Sequence, residues 1–210
     1  MPLDYDPQHA IAELSKADKK LGTAIRRLGP FELEPKSMGN PFQHLARAIT
    51  FQQLSGKAAG TIFARVKDLF PRKHLKPQLV LDMPEESLRA AGLSRNKLAA
   101  IRDLAAKTLD GTVPTLAKLK SFSDEEILER LVQVRGVGPW TVEMLLIFHL
   151  GRPDILPSTD LGIRKGYQIL ENRKEMPTPK ELLRLTEHWS PWRSVASWYL
   201  YRLADETAKD

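Results

Sequence analysis

The chain has 210 residues, a formal net charge of +6, and no cysteine. That length buries a core sufficient for one domain or two small lobes. The missing cysteine excludes disulfides, thiol catalysis, and zinc or iron–sulfur clusters, while the positive charge leans toward a polyanionic partner.

No apolar run approaches the roughly 20 residues that a membrane helix needs. The N-terminal MPLDYDPQHAIAEL carries acids and lacks a signal-peptide core. An intracellular protein with no membrane partner is expected.

Apolar residues recur at helical spacing almost throughout, with no strand alternation. An all-α chain is therefore predicted. The first helix is expected over Asp6 to Leu28, ending at Gly29-Pro30. A long one follows from Pro41 toward Phe70, broken near Gly56, with Leu45, Ile49, Leu54 and Ile62 facing inward. Pro84 opens a short segment from a first-turn position, stopped by Gly92. Ser94 to Leu109 reads as another helix.

Ser123 and Glu126 have the spacing of a capping box for the next helix. Pro139 to Leu150 is apolar almost all round, as in a buried central helix. Leu161 to Leu170, Pro179 to Trp189 and Pro191 to Asp205 complete the predicted helices.

The chemistry-bearing stretch runs from Leu131 to Asp160. Val134-Arg135-Gly136-Val137-Gly138-Pro139 joins two helices in very few residues. Gly136 and Gly138 permit backbone angles that a side chain forbids. Amides at the start of the next helix would then point outward, which makes a phosphate site. Such a loop, centred on Gly136, Val137 and Gly138, grips a DNA backbone without reading its sequence. A plain helix–helix turn is the bland alternative. Carbonyls of Val132, Val134 and Val137 are placed to hold a monovalent cation (Na or K) that positions the phosphate. No other cofactor is called for. Asp160 stands where a helix begins, and by spacing alone it is an N-cap.

The segments RGVGPWTVEM, LPSTDLGIRKG, FQQLSGKAA and SPWRSVASWYLYR together resemble the helix-hairpin-helix (HhH-GPD) base-excision DNA glycosylases of the 3-methyladenine II type, in a minimal form. They occur in the family's order and span the chain from about Pro41 onward. The resemblance implies a two-lobed helical fold with an active cleft between the lobes. One lobe is expected over about 39–152, and a discontinuous second over about 1–38 plus 153–210. It also implies removal of alkylated purines from double-stranded DNA without strand cleavage, at the chromosome in nucleoid or nucleus; a monomer suffices for that chemistry and is expected.

By that resemblance Asp160 is the catalytic carboxylate, a role compatible with capping. Trp140 falls where bifunctional relatives place a lysine, and an indole forms no Schiff base. Tyr201 falls on a stacking aromatic, and Phe51 and Gln53 belong to a helix lining the pocket. Leu93, Ser94 and Arg95 match the element that wedges into the gap left by a flipped base. Lys57, Lys97, Arg164 and Lys165, with Arg95, are candidates for gripping phosphates; each is individually an ordinary surface charge. Thr159 stands where many relatives carry a second acid. Trp192 and Trp198 are weaker aromatic candidates, and aromatics at helical spacing usually fill core. Glu143 sits one helical turn after Trp140, with an ion pair as the alternative role. His44, His149 and His188 lack ligand-like spacing.

Two other readings share these features. One is a glycosylase for deaminated bases or uracil, separated only by its pocket. The other is a non-catalytic binder of damaged DNA, which gains nothing from a carboxylate near phosphates.

Overall fold

A computed structural model describes residues 3–207. Every regular element among them is helical. The α-helices are α1 Pro7–Ala17, α2 Lys19–Leu28, α3 Pro41–Phe51, α4 Gly56–Asp68, α5 Pro77–Asp82, α6 Glu85–Ala90, α7 Arg95–Leu109, α8 Leu116–Ser121, α9 Asp124–Leu131, α10 Pro139–Leu145, α11 Leu161–Leu170, α12 Pro179–Leu185 and α13 Arg193–Thr207. Short 3-10 turns lie at Pro71–Lys73 and Glu187–Trp189, and α10 continues to Leu150 in a wider π-type coil.

The chain divides into two compact units, residues 38–142 and residues 1–37 with 143–210. The sequence placed the division near 152. It falls ten residues earlier because the end of the α10 coil belongs to the discontinuous unit: the Lys36 amide donates to the Phe148 carbonyl at 2.9 Å, and His149 Nδ1 lies 3.0 Å from the Lys36 carbonyl.

Local signals explain most helix ends. Ser123 and Glu126 form the reciprocal capping box at α9, and Thr178 and Glu181 form another at α12. Two departures from the sequence reading have clear causes. The first predicted helix is two, because Asp18 leaves helical geometry (φ −137°, ψ 106°) and its Oδ1 accepts from the Leu21 amide, capping α2. The break after α3 falls at Gln52 to Ser55 and not at Gly56, because Ser55 caps α4. That turn turns Leu54 outward, leaving it 40% exposed, whereas Leu45 and Ile49 are buried as expected. Pro84 precedes α6 as its N-cap and does not occupy the first turn.

In the 38–142 unit, α7 is the central element and packs against α3, α5 and α6. Leu98, Ile101, Leu104 and Ala105 form its buried stripe. Burying a Leu or Ile side chain contributes about 1.5–3 kcal/mol, so this stripe anchors the whole unit.

In the discontinuous unit, α11 and α13 form the tightest pair. A β-carbon at Gly166 would lie 2.1 Å from the Leu200 carbonyl oxygen, so only glycine permits this crossing. Trp189 and Tyr199 are fully buried and each satisfies its polar atom. The Trp189 indole donates to Asp18 Oδ2 at 2.9 Å, and the Tyr199 hydroxyl donates to the Gly29 carbonyl at 3.1 Å.

Candidate active site and hairpin

Asp160 begins α11. Its Oδ1 accepts from the Ile163 amide at 3.0 Å, so the carboxylate is an N-cap as its spacing required. The loop that delivers it is fastened to the start of α13. Asp154 accepts from Arg193 Nε at 2.6 Å and Nη2 at 2.8 Å, and from the Ser190 hydroxyl at 2.8 Å. Ser194 Oγ accepts from the Ile155 amide at 2.9 Å. Burial pushes the Asp154 carboxyl up, but the donors from Arg193 and Ser190 outweigh it and hold it below the ordinary range. The segment SPWRSVAS, legible only as a motif, thus fixes where LPSTD lies.

Tyr201, on α13, reaches the same place. Its hydroxyl donates to Met144 Sδ at 3.6 Å and faces the Asp160 carboxylate. Burial, then Asp160 and Glu143, push the phenol strongly up, so it stays a donor. Gly162 makes the approach possible: a β-carbon there would sit 3.1 Å from both Asp160 Oδ1 and Tyr201 Cε1. Phe148 flanks the Tyr201 ring at 6.3 Å between centroids. Glu143 also faces this group; burial and the Asp160 charge push its carboxyl up to about 7. Sequence reasoning left Glu143 as a rim or ion-pair residue, and no local signal announces its proximity to Asp160.

The hairpin lies in the other unit. Gly136 adopts φ +79°, and the Val137 amide donates back to the Val134 carbonyl at 3.0 Å. Val137 is buried, so it supports the turn from inside and offers no amide outward. The amides of Gly136 and Gly138 carry no intramolecular hydrogen bond among the described residues. Two side chains brace the loop. Gln52 Nε2 donates to the Gly136 carbonyl at 2.7 Å, and Asp103 Oδ2 accepts from the Arg135 amide at 2.7 Å. Burial raises the Asp103 carboxyl, but the Arg135 amide and Lys107 more than compensate and keep it low. The Val134 carbonyl is engaged by the Val137 amide, which leaves Val132 and Val137 as the more open of the expected cation-facing carbonyls. No cluster of three or more His, Asp or Glu side chains suited to a metal exists among the described residues.

Beside the hairpin is a cavity of about 410 Å³ lined by Gln52, Gln53, Ser94, Asn96 and Arg135 among others. Gln53 is exposed and holds φ +56°, an uncommon conformation for a residue with a side chain. Trp140 is 46% exposed, and Lys57, Ser94, Arg95 and Lys165 are exposed as well.

Several expectations are corrected. Leu93 is 1% exposed and belongs to the core, so it is no wedge. Lys97 donates to the Thr50 and Gln52 carbonyls at 2.7 and 2.8 Å, closing the C-terminus of α3, and burial lowers its ammonium. Arg164 Nε is held by the Pro177 carbonyl at 2.7 Å. One face of Phe51 is covered by the Arg47 guanidinium, 3.9 Å from the ring centroid. Trp192 packs against Tyr5 and His9, and Trp198 against Phe31 and Tyr199, so both fill core edges, in keeping with their helical spacing.

A braced glycine hairpin opening a helix, and an aspartate anchored at the head of another, define a class. The chain belongs to the HhH-GPD superfamily of base excision DNA repair proteins, whose family model matches residues 46–191. It is 42% identical over 175 residues to DNA-3-methyladenine glycosylase 1 of Schizosaccharomyces pombe, covering 80% of this chain and 75% of that one. Its fold is similar to the S. pombe 3-methyladenine DNA glycosylase solved with abasic DNA, at TM-score 0.80 and 37% identity over 92% of this chain and 95% of that one. It is also similar to the DNA-3-methyladenine glycosidase of Bacillus halodurans, at TM-score 0.86 and 32% identity over 99% and 93% of the two chains.

Proposed function

We propose that the protein is a monofunctional DNA glycosylase that extrudes alkylated purines of the 3-methyladenine type from duplex DNA and hydrolyses their glycosidic bond. The observation that carries this reading is the Asp160 carboxylate, held at the head of α11 by the Ile163 amide and faced by the Tyr201 hydroxyl. A carboxylate fixed in place is prepared for a positive charge that develops in front of it.

A base inside a duplex must leave the stack to be excised, at a cost of a few kcal/mol that is smaller for damaged pairs. The hairpin grips the backbone through the Gly136 and Gly138 amides, aided by Lys57, Arg95 and Lys165, and a monovalent cation at the Val132 and Val137 carbonyls supports the same phosphate. With Leu93 buried, Gln53 is the residue that fills the gap. Its exposure and positive φ support this, since strained backbone is concentrated at working sites. The cationic purine is attracted by electron-rich faces, by about 0.5–2 kcal/mol each, with Trp140 and Tyr201 supplying them. The leaving base needs little protonation, Asp160 stabilises the sugar cation, and water completes the reaction. Trp140 supports hydrolysis without strand cleavage, because no amine stands there. The enzyme acts as a monomer on chromosomal DNA inside the cell.

Single-turnover excision from duplexes that each carry one defined lesion tests the proposal. Fast release of cationic N3- and N7-methylpurines is expected. Release of neutral deaminated bases alone would overturn the substrate class. Tight binding to abasic DNA with no release of any base would leave a damage-binding module.

A further inference from the structure

Glu143 stands in the α10 coil with its Oε2 buried and, among the described residues, without a hydrogen-bond partner. A buried polar atom in that state calls for an explanation. The titratable groups that face it are Asp160, at the head of α11, and Tyr201, on α13. Asp160 accepts from the Ile163 amide at 3.0 Å and is faced by the Tyr201 hydroxyl. Glu143 faces the same negative charge with no donor on its buried oxygen. Of two neighbouring carboxyls, the one that lacks donors is the one that takes up a proton.

We propose that Glu143 is the terminal proton acceptor for the hydrolytic water, acting through Asp160; this rests on the glycosylase reading above. The bond from the sugar C1′ to the purine nitrogen breaks, and its electron pair leaves with the base, which departs neutral. Asp160 remains an anion facing the sugar cation. The oxygen of water then bonds to C1′, and the proton it releases passes by way of the Asp160 carboxylate to the ionised Glu143, and from there to solvent. The cation recombines with the purine unless water captures it, so removal of this proton governs net excision. Glu143 therefore has to be ionised when the cycle begins. Its carboxyl, pushed up to about 7 by burial and by Asp160, makes that requirement visible in the neutral range.

The test is the pH dependence of single-turnover excision of 7-methylguanine from duplex DNA between pH 6 and 8. In the wild type the rate rises about tenfold with a midpoint near 7, as the ionised fraction of Glu143 does. Glu143→Gln is slow and flat across the range, binds abasic DNA as the wild type does, and Glu143→Asp restores the rise. A Glu143→Gln variant with the wild-type rate and profile would overturn the proposal. So would a wild-type rate that ignores pH. Should the glutamine variant fail to fold, carbon-13 titration of the Glu143 carboxyl in the wild-type protein decides. A midpoint near 7 that falls in Asp160→Asn supports the proposal, and titration in the ordinary carboxylate range contradicts it. Absence of wild-type excision at every pH would remove the glycosylase reading itself, an outcome distinct from excision that is insensitive to pH.

Discussion

The Tyr201 ring and the Asp160 carboxylate meet over Gly162, where a β-carbon would press on both residues at 3.1 Å. Sequence separates them by 41 positions. The α11–α13 crossing brings them together, and that crossing depends on a second glycine, Gly166. Chemistry and packing in this unit therefore share one helix pair.

Tyr201→Phe keeps the ring and removes the donor. A hydrogen bond to a charged group contributes about 1.5–3 kcal/mol, so excision is expected to slow by roughly 10-fold or more with little change in thermal midpoint. Rapid-quench kinetics beside a melting curve would read this. An unchanged rate would mean that Asp160 needs no help from the phenol.

Gly166→Ala is expected to disrupt the fold, because its β-carbon would meet backbone 2.1 Å away, which cannot swing aside as a side chain can. Overpacking costs of about 1–3 kcal/mol are typical, and this contact lies at or beyond the upper end. Gly162→Ala meets only side-chain atoms, so it should lose more activity than stability. Urea denaturation of the two variants, compared with their excision rates, separates these effects.

Asp154 supplies an acid-sensitive fastening. Its carboxyl is held below its ordinary value, so the folded protein binds fewer protons there than the unfolded chain. That contribution is present above about pH 4 and is lost as pH falls through the folded value. Asp154→Asn should flatten the acid limb of the stability curve. Asp154→Ala should cost about 2–3 kcal/mol by leaving Arg193 partly buried and unpaired, and should slow excision without touching substrate. Melting between pH 3 and 7 measures the first effect.

Gly136→Ala forces a β-carbon into a left-handed position, at about 1–2 kcal/mol, and brings it into contact with Ala100 at 3.4 Å. DNA affinity is expected to fall equally for damaged and undamaged duplexes, since the hairpin contacts backbone. Fluorescence anisotropy on both duplexes checks it. A loss confined to damaged DNA would place the hairpin's role elsewhere.

Residues with local signatures were legible from the chain. The Ser123–Glu126 box, the stop at Gly29 and the cap at Asp160 each act within one helical turn, so spacing suffices. The motifs of the hairpin and of the Asp160 loop were legible for the same reason. Asp18 was not legible as a break, because neither glycine nor proline marks it and its acceptors are used by Trp189 and Leu21. Helices α5 and α8, six residues each, are too short to show a period. Leu54 and Leu93 exchanged their expected exposure because the turns that carry them are oriented by tertiary contacts. Lys97 and Arg164 read as surface cations until the carbonyls they serve were in place. The proximity of Glu143 to Asp160 is a property of the fold alone.

The most direct test of the central claim is single-turnover release of 3-methyladenine and 7-methylguanine by the wild type and Asp160→Asn, with binding to abasic DNA measured on both. Asparagine keeps an oxygen for the Ile163 amide, so the helix cap and the fold should survive. The account predicts that release falls by at least about 100-fold while abasic-DNA binding is retained. Wild-type release rates in a folded Asp160→Asn protein would contradict it.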